Sequence, residues 1–199
     1  MQEWCEPCQK RGGIAIYVNH GLPCSTVSVP AINDMELLWL KVFLHKEKPF
    51  HLGCIYRPPS SPAAYWEKLE SVLSQVDGEI IVLMGDLNVD FLSPTSYLFN
   101  SLNRSVLLPF GLQNVIQAPT RISTSRNSSR SLDVILTNMV AVNRGTVVSC
   151  DFTDHSLVHA IVGCASSSDV ENRTNQHVRD RRDFSPFDKN EFCNVLLSY

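Results

Sequence analysis

Residues 79–90 read EIIVLMGDLNVD, and the fold turns on them. Residues 80–84 are apolar without a break, as a central strand is when other layers cover both of its faces. The run stops at Gly85-Asp86, and Asn88 follows where the chain leaves the sheet. Upstream, Ser60, Ser61 and Pro62 offer a helix start, with a serine cap and proline in the first turn. Trp66, Leu69, Val72, Leu73 and Val76 then recur at helical spacing until Asp77-Gly78 ends the pattern. Residues 50–56 read as a strand stopped by Arg57-Pro58-Pro59, because proline cannot continue a ladder. Residues 12–18, GGIAIYV, read as a buried strand. Residues 35–44, MELLWLKVFL, read as another, although their imperfect alternation also allows a helix.

Downstream, residues 95–107 have a helical pattern with Tyr97, Leu98, Leu102 and Val106 inward. Residues 119–130 are rich in Ser and Arg and predict an exposed loop. Residues 132–136, 146–149 and 157–162 predict three further strands. Polar residues 165–182 predict a linker, and residues 188–197 a short terminal helix. Helices interleaved with several consecutive strands predict a layered α/β sandwich rather than a purely doubly wound sheet.

The length suits one domain, or one domain plus a tail. The chain has 199 residues, 44% of them apolar and 19% charged, too apolar for a disordered protein. No apolar run approaches the roughly 20 residues of a membrane helix, and the N-terminus lacks a signal-peptide pattern, so no membrane partner is expected. Seven scattered cysteines then read as reduced, intracellular thiols. Cys5 and Cys8 form a CxxC without the second pair that a structural zinc site needs. The net charge of −3 argues against a strongly basic nucleic-acid module, but it is unevenly spread. Residues 101–150 hold five Arg and one acid, Asp133, which makes that block +4 and the remainder −7. A local basic face of this kind is compatible with phosphate binding.

The residues that could carry chemistry lie at strand ends. Asp86 and Asn88 follow one strand and Tyr56 and Arg57 another; Asp133 opens a third, and Asp154 and His155 precede a fourth. Each alone has an ordinary explanation, since Asp-x-Asn is a common turn and Tyr-Arg-Pro-Pro a strand stop. Together they would converge on one rim of a sheet, where open α/β folds often build sites. The inventory suits metal-assisted phosphodiester cleavage. Carboxylates are hard oxygen ligands for Mg²⁺, and one can also orient the attacking water. An amide such as Asn88 can donate to a phosphate without adding repulsive charge. A histidine held by an aspartate becomes a well-oriented cation beside the phosphorus.

These motifs carry a resemblance. GGIAIYV, LLWLKV, IYRPP, GDLNVD, PTR at residues 119–121, SLDVILTN and TDHSLV occur in the order found in the endonuclease domain of LINE-type (non-LTR) retrotransposons. That domain is a branch of the endonuclease/exonuclease/phosphatase superfamily, with the DNase I-like α/β sandwich. The resemblance implies that Asp86 orients or activates the water, Asn88 binds phosphate and Tyr56 contacts the scissile phosphate. It pairs Asp133 with a catalytic His155 and puts Asp154 at the metal site. Arg57, Arg121, Arg126 and Arg130 are candidate nucleic-acid contacts. Thr153 replaces the usual Ser, and Leu87 the usual aromatic of GD-x-N.

The resemblance further implies Mg²⁺, with Mn²⁺ as an alternative, a DNA substrate, a nuclear location and no obligate protein partner. Residues 1–10 form an unmatched leader, 11–164 a partial domain, and 165–199 a polar linker and terminal helix that resembles the connector before a reverse transcriptase. Family members place a strand with an Asn and a second strand ending in a metal-binding Glu ahead of GGIAIYV. Glu3 and Glu6 lie too close to that strand to stand in. The expectation is therefore an N-terminally truncated domain lacking those strands. It would be an impaired Mg²⁺-dependent DNA endonuclease or, alternatively, a catalytically dead retroelement remnant that acts at most as a nucleic-acid or protein interaction module.

Overall fold

The computed structural model describes residues 2–5, 13–28, 35–45, 48–62, 64–123, 127–139 and 145–161. The strands are β1 Gln2–Cys5, β2 Ala15–Val18, β3 Cys24–Thr26, β4 Glu36–Val42, β5 Phe50–Tyr56 and β6 Ile80–Asp86. They continue as β7 Gln113–Asn114, β8 Arg121–Ser123, β9 Ser128–Arg130, β10 Asp133–Thr137, β11 Gly145–Val148 and β12 Leu157–Ala160. The helices are α1 Tyr65–Leu73 and α2 Tyr97–Leu102. Among the described residues no helix is long and apolar enough to cross a membrane, and Cys24, Cys54 and Cys150 are free thiols.

A six-stranded mixed sheet in the order β3-β4-β5-β6-β10-β7 forms the centre. β5 and β6 run parallel, joined by α1, while β4 and β10 flank them antiparallel. Side chains alternate between two cores along each strand. Leu37, Trp39, Ile55, Ile81, Leu83, Val134 and Leu136 pack with Trp66, Leu69, Leu73, Leu102 and Val106 from the helical layer. Leu40, Val42, Phe50, Val82 and Ile135 face the other way, toward Val18 of β2, Val147 of β11 and Val158 of β12. Two separate apolar layers explain the unbroken run of β6, since a strand between them exposes neither face.

The expected sandwich stands, with local corrections. Ser61 does not cap a helix; its hydroxyl donates to the Pro58 carbonyl at 2.8 Å in a turn, and α1 starts four residues later. α2 is capped by Ser96, whose hydroxyl accepts from Phe99 N, but it lasts only six residues before widening into a π-turn over Asn103–Leu107. Tyr97 at 77% and Leu98 at 38% are exposed rather than inward, while Leu102 and Val106 are buried as expected. The stretch expected as a loop contains the β8–β9 hairpin. β1 pairs antiparallel with β2, so part of the expected leader is strand. Residues 165–199, with the expected linker and terminal helix, lie outside the described residues.

Candidate active site

Strand register builds the site. Glu36 of β4 is opposite Tyr56 of β5, Tyr56 is opposite Asp86 of β6, and Asp86 is opposite Asp133 of β10. Residues opposite one another across a sheet project from the same face. The four therefore form a row along one rim, on the side that packs against the smaller strands, and all are half-buried.

Asp86 ends β6 under close constraint. Gly85 before it has φ +142°, and a Cβ there would lie 1.8 Å from the carbonyl oxygen of Ile55. Only glycine lets β6 approach β5 this closely at the rim. Asp86 then accepts a hydrogen bond from the backbone N–H of Asn88 at 2.8 Å. Asn88 lies in the left-handed region, φ 49°, and its side-chain amide donates to the Arg57 carbonyl at 2.9 Å. Burial pushes the Asp86 carboxyl up from its ordinary value and the neighbouring Asp133 adds to this; the Asn88 N–H, His155 and Arg121 oppose it.

Asp133 and His155 form the expected pair. Nδ1 of His155 lies 3.0 and 3.2 Å from the two oxygens of Asp133. A carboxylate accepts, so the Nδ1 proton points at Asp133, which fixes the ring orientation. Around it, the Thr120 hydroxyl accepts from Leu132 N and Asp133 N, both at 3.0 Å. Thr120 O accepts from Ser156 N at 2.7 Å, and the Thr153 hydroxyl accepts from His155 N at 3.2 Å. Asp86, Asp133 and His155 bring one potential ligand atom each within 4.8 Å of one another. Two crowded carboxylates, one resisting ionisation, suit a divalent cation in charge and in donor chemistry.

The other expected residues do not join this three-residue cluster. Asp154 is exposed and is not one of the three converging residues. Its carboxylate is held at 2.8 Å by the guanidinium of Arg121, which keeps its pKa below the usual carboxylate value. Arg121 is the cross-strand partner of Arg130 on the hairpin, and its backbone forms an antiparallel β-bridge with that of His155. Arg130 is exposed, and Arg126 lies outside the described residues. Arg57 is a correction: only 1% exposed, it cannot reach DNA. Its guanidinium turns inward, onto the faces of Tyr65 and Trp66. Glu36 and Thr120 also belong to this rim, and neither stands out in the sequence. Glu36 accepts from Gly13 N at 2.8 Å; a charge opening an apolar strand, as Asp133 does, was its signal. Thr120 is fully buried and was visible only as the middle of the PTR triplet.

The sequence model of the endonuclease/exonuclease/phosphatase family matches residues 6–155. No curated protein sequence matches the chain. Among solved structures, the endonuclease domain of TRAS1, a telomere-specific non-LTR retrotransposon, is similar with a TM-score of 0.63 at 16% identity, over 80% of this chain and 77% of that one. A truncated TDP2 from Caenorhabditis elegans gives a TM-score of 0.54 at 11% identity, over 80% of this chain and 73% of that one. At such identities the likeness is one of fold, and it agrees with the mixed central sheet and its few helices. The match to the family model covers most of the chain, and on that basis the chain belongs to the endonuclease/exonuclease/phosphatase family.

Proposed function

We propose that the chain is a slow, Mg²⁺-dependent DNA endonuclease of the kind that non-LTR retrotransposons carry. The observation that supports this best is the Asp133–His155 pair at 3.0 Å beside Asp86. In this reading water attacks the phosphorus and the P–O3′ bond breaks. The 3′-oxygen leaves and takes up a proton, the phosphate stays on the 5′ end, and Asp86 orients the water and accepts its proton. His155, held by Asp133, presents its free ring nitrogen to the phosphate as charge builds there. Asn88 and Tyr56 donate to phosphate oxygens. Asp86 and Asp133 would hold the metal, Mg²⁺ or Mn²⁺, which supplies Lewis-acid stabilisation of phosphate charge. Residues 11–164 are the catalytic part and residues 165–199 a connector, and a retroelement nuclease acts on nuclear DNA.

The test is relaxation of supercoiled plasmid by the 199-residue chain beside Asp86→Ala and His155→Ala. Mg²⁺-dependent nicking by the first and none by the variants is the expected result. A second reading, a DNA-binding module without turnover, is favoured by the Arg121–Asp154 pair, which keeps one expected metal carboxylate engaged elsewhere. Equal absence of nicking in all three proteins would select it.

A further inference from the structure

We propose that Arg57 is the positioning residue of the Asp86–Asn88 loop, holding all three loop residues from beneath without touching substrate. The side chain is buried, yet among the described residues it forms no ion pair. Burying a charge without a counterion is costly, so its other contacts are what the site gains. The Arg57 guanidinium carbon lies 5.0 Å from the Trp66 ring centre and 5.6 Å from that of Tyr65. From this aromatic seat Nη1 donates to the Leu87 carbonyl and Nη2 to the Ser61 carbonyl, each at 3.3 Å. Nε has no partner.

The backbone of the same residue completes the grip. Arg57 N donates to the Asp86 carbonyl at 2.9 Å, and Arg57 O accepts from the Asn88 amide at 2.9 Å. One residue thus bonds to Asp86, Leu87 and Asn88 in turn. Asn88 is held in a left-handed conformation that asparagine adopts only at some cost, and such a conformation persists where its surroundings over-determine it. The fork over two aromatic faces is specific to arginine: lysine would keep the charge but could not fill the same planar seat and reach both carbonyls.

Two variants of the full chain, Arg57→Lys and Arg57→Met, test this by amide hydrogen exchange. In both, exchange at Leu87 and Asn88 is expected to speed up by about tenfold or more, with Val134 and Leu136 in the centre of β10 within about twofold of wild type. Unchanged exchange at Leu87 and Asn88 overturns the proposal. So does equal acceleration through β10, because Arg57 would then be core packing alone. If Arg57→Met does not fold, Arg57→Lys decides by the same measure. A kinetic arm rests on the nuclease reading: kcat for nicking should fall about a hundredfold, with KM for DNA within about twofold. A raised KM with unchanged kcat would make Arg57 a DNA contact and overturn the proposal. Absence of nicking by wild type sinks the nuclease reading, and the exchange result still decides the role of Arg57.

Discussion

Asp86 works against the stability of the protein that carries it. Its carboxyl has a folded value above the unfolded one, because burial and then Asp133 disfavour the charge. The native state therefore binds this proton more tightly than the unfolded chain does. The contribution to stability is fully present below the unfolded value and is lost as pH rises through the folded value. At neutral pH, Asp86→Asn keeps the shape, keeps an oxygen for the Asn88 N–H and removes the ionised group. It should raise metal-free stability by on the order of 1 kcal/mol, a common trade at functional sites, and flatten the acid dependence due to this residue. Urea unfolding at pH 7 and at about pH 4 measures both effects. A variant no more stable than wild type at pH 7 would refute the argument. The same conflict predicts that Mg²⁺ or Mn²⁺ raises the melting temperature of wild type, since a cation that binds only the folded state stabilises it. Asp86→Asn and Asp133→Asn should each lose most of that shift.

Glycine decides two strand contacts, one at the site and one away from it. In Gly85→Ala the new Cβ would lie 1.8 Å from Ile55 O at a φ of +142°. β6 would have to move from β5 where Tyr56 and Asp86 are paired, so we expect a loss of about 3 kcal/mol and, on the endonuclease reading, a loss of nicking. In Gly53→Ala the new Cβ would lie 2.0 Å from the Trp39 ring, in the middle of the sheet. That variant should lose about 2 kcal/mol but keep nicking in its folded fraction. If Gly85→Ala nicks as well as Gly53→Ala, rim spacing does not control the site. The strands around these glycines were legible in the sequence because β4, β5, β6 and β10 carry apolar residues for two opposed cores. The β8–β9 hairpin was not: Arg121 to Ser123 and Ser128 to Arg130 offer no apolar alternation, and their support comes from elsewhere. Thr120 N donates to Arg130 O, and Ile122 N to Asp154 O. The inward turn of Arg57 was hidden for a related reason. An arginine before two prolines reads as a surface stop, and its seat on Tyr65 and Trp66 depends on how α1 folds back over β5. The Asp86, Asp133 and His155 triad was readable because each residue adjoins a strand end, and strand ends converge. The pairing of Asp154 with Arg121 needed the hairpin to be known first.

At the scale of the molecule, the endonuclease reading requires a chain of net charge −3 to hold DNA through local positive density. Arg121 and Arg130 face each other across the hairpin beside His155, an arrangement of like charges that costs stability unless an anion lies nearby. Asp154 is that anion for Arg121, at 2.8 Å. In this state Arg130 is the freer of the two for phosphate, and Arg121 is partly neutralised by its own protein. Each phosphate neutralised on duplex DNA adds about −0.9 to the slope of log K against log salt. Asp154→Asn releases Arg121 without changing the bulk of the side chain, so that slope should steepen by about one and binding should tighten most at low salt. Adding Arg121→Ala to Asp154→Asn should return the slope to the wild-type value. Anisotropy titrations of a labelled duplex over a range of salt, with catalysis silenced by Asp86→Ala in every protein, give the three slopes directly. If Asp154 instead serves the metal, its loss leaves the slope where it was and weakens the Mg²⁺-induced rise in melting temperature, measured in the Asp86-containing protein. The same substitution thus separates an aspartate that restrains DNA binding from one that ligates the metal.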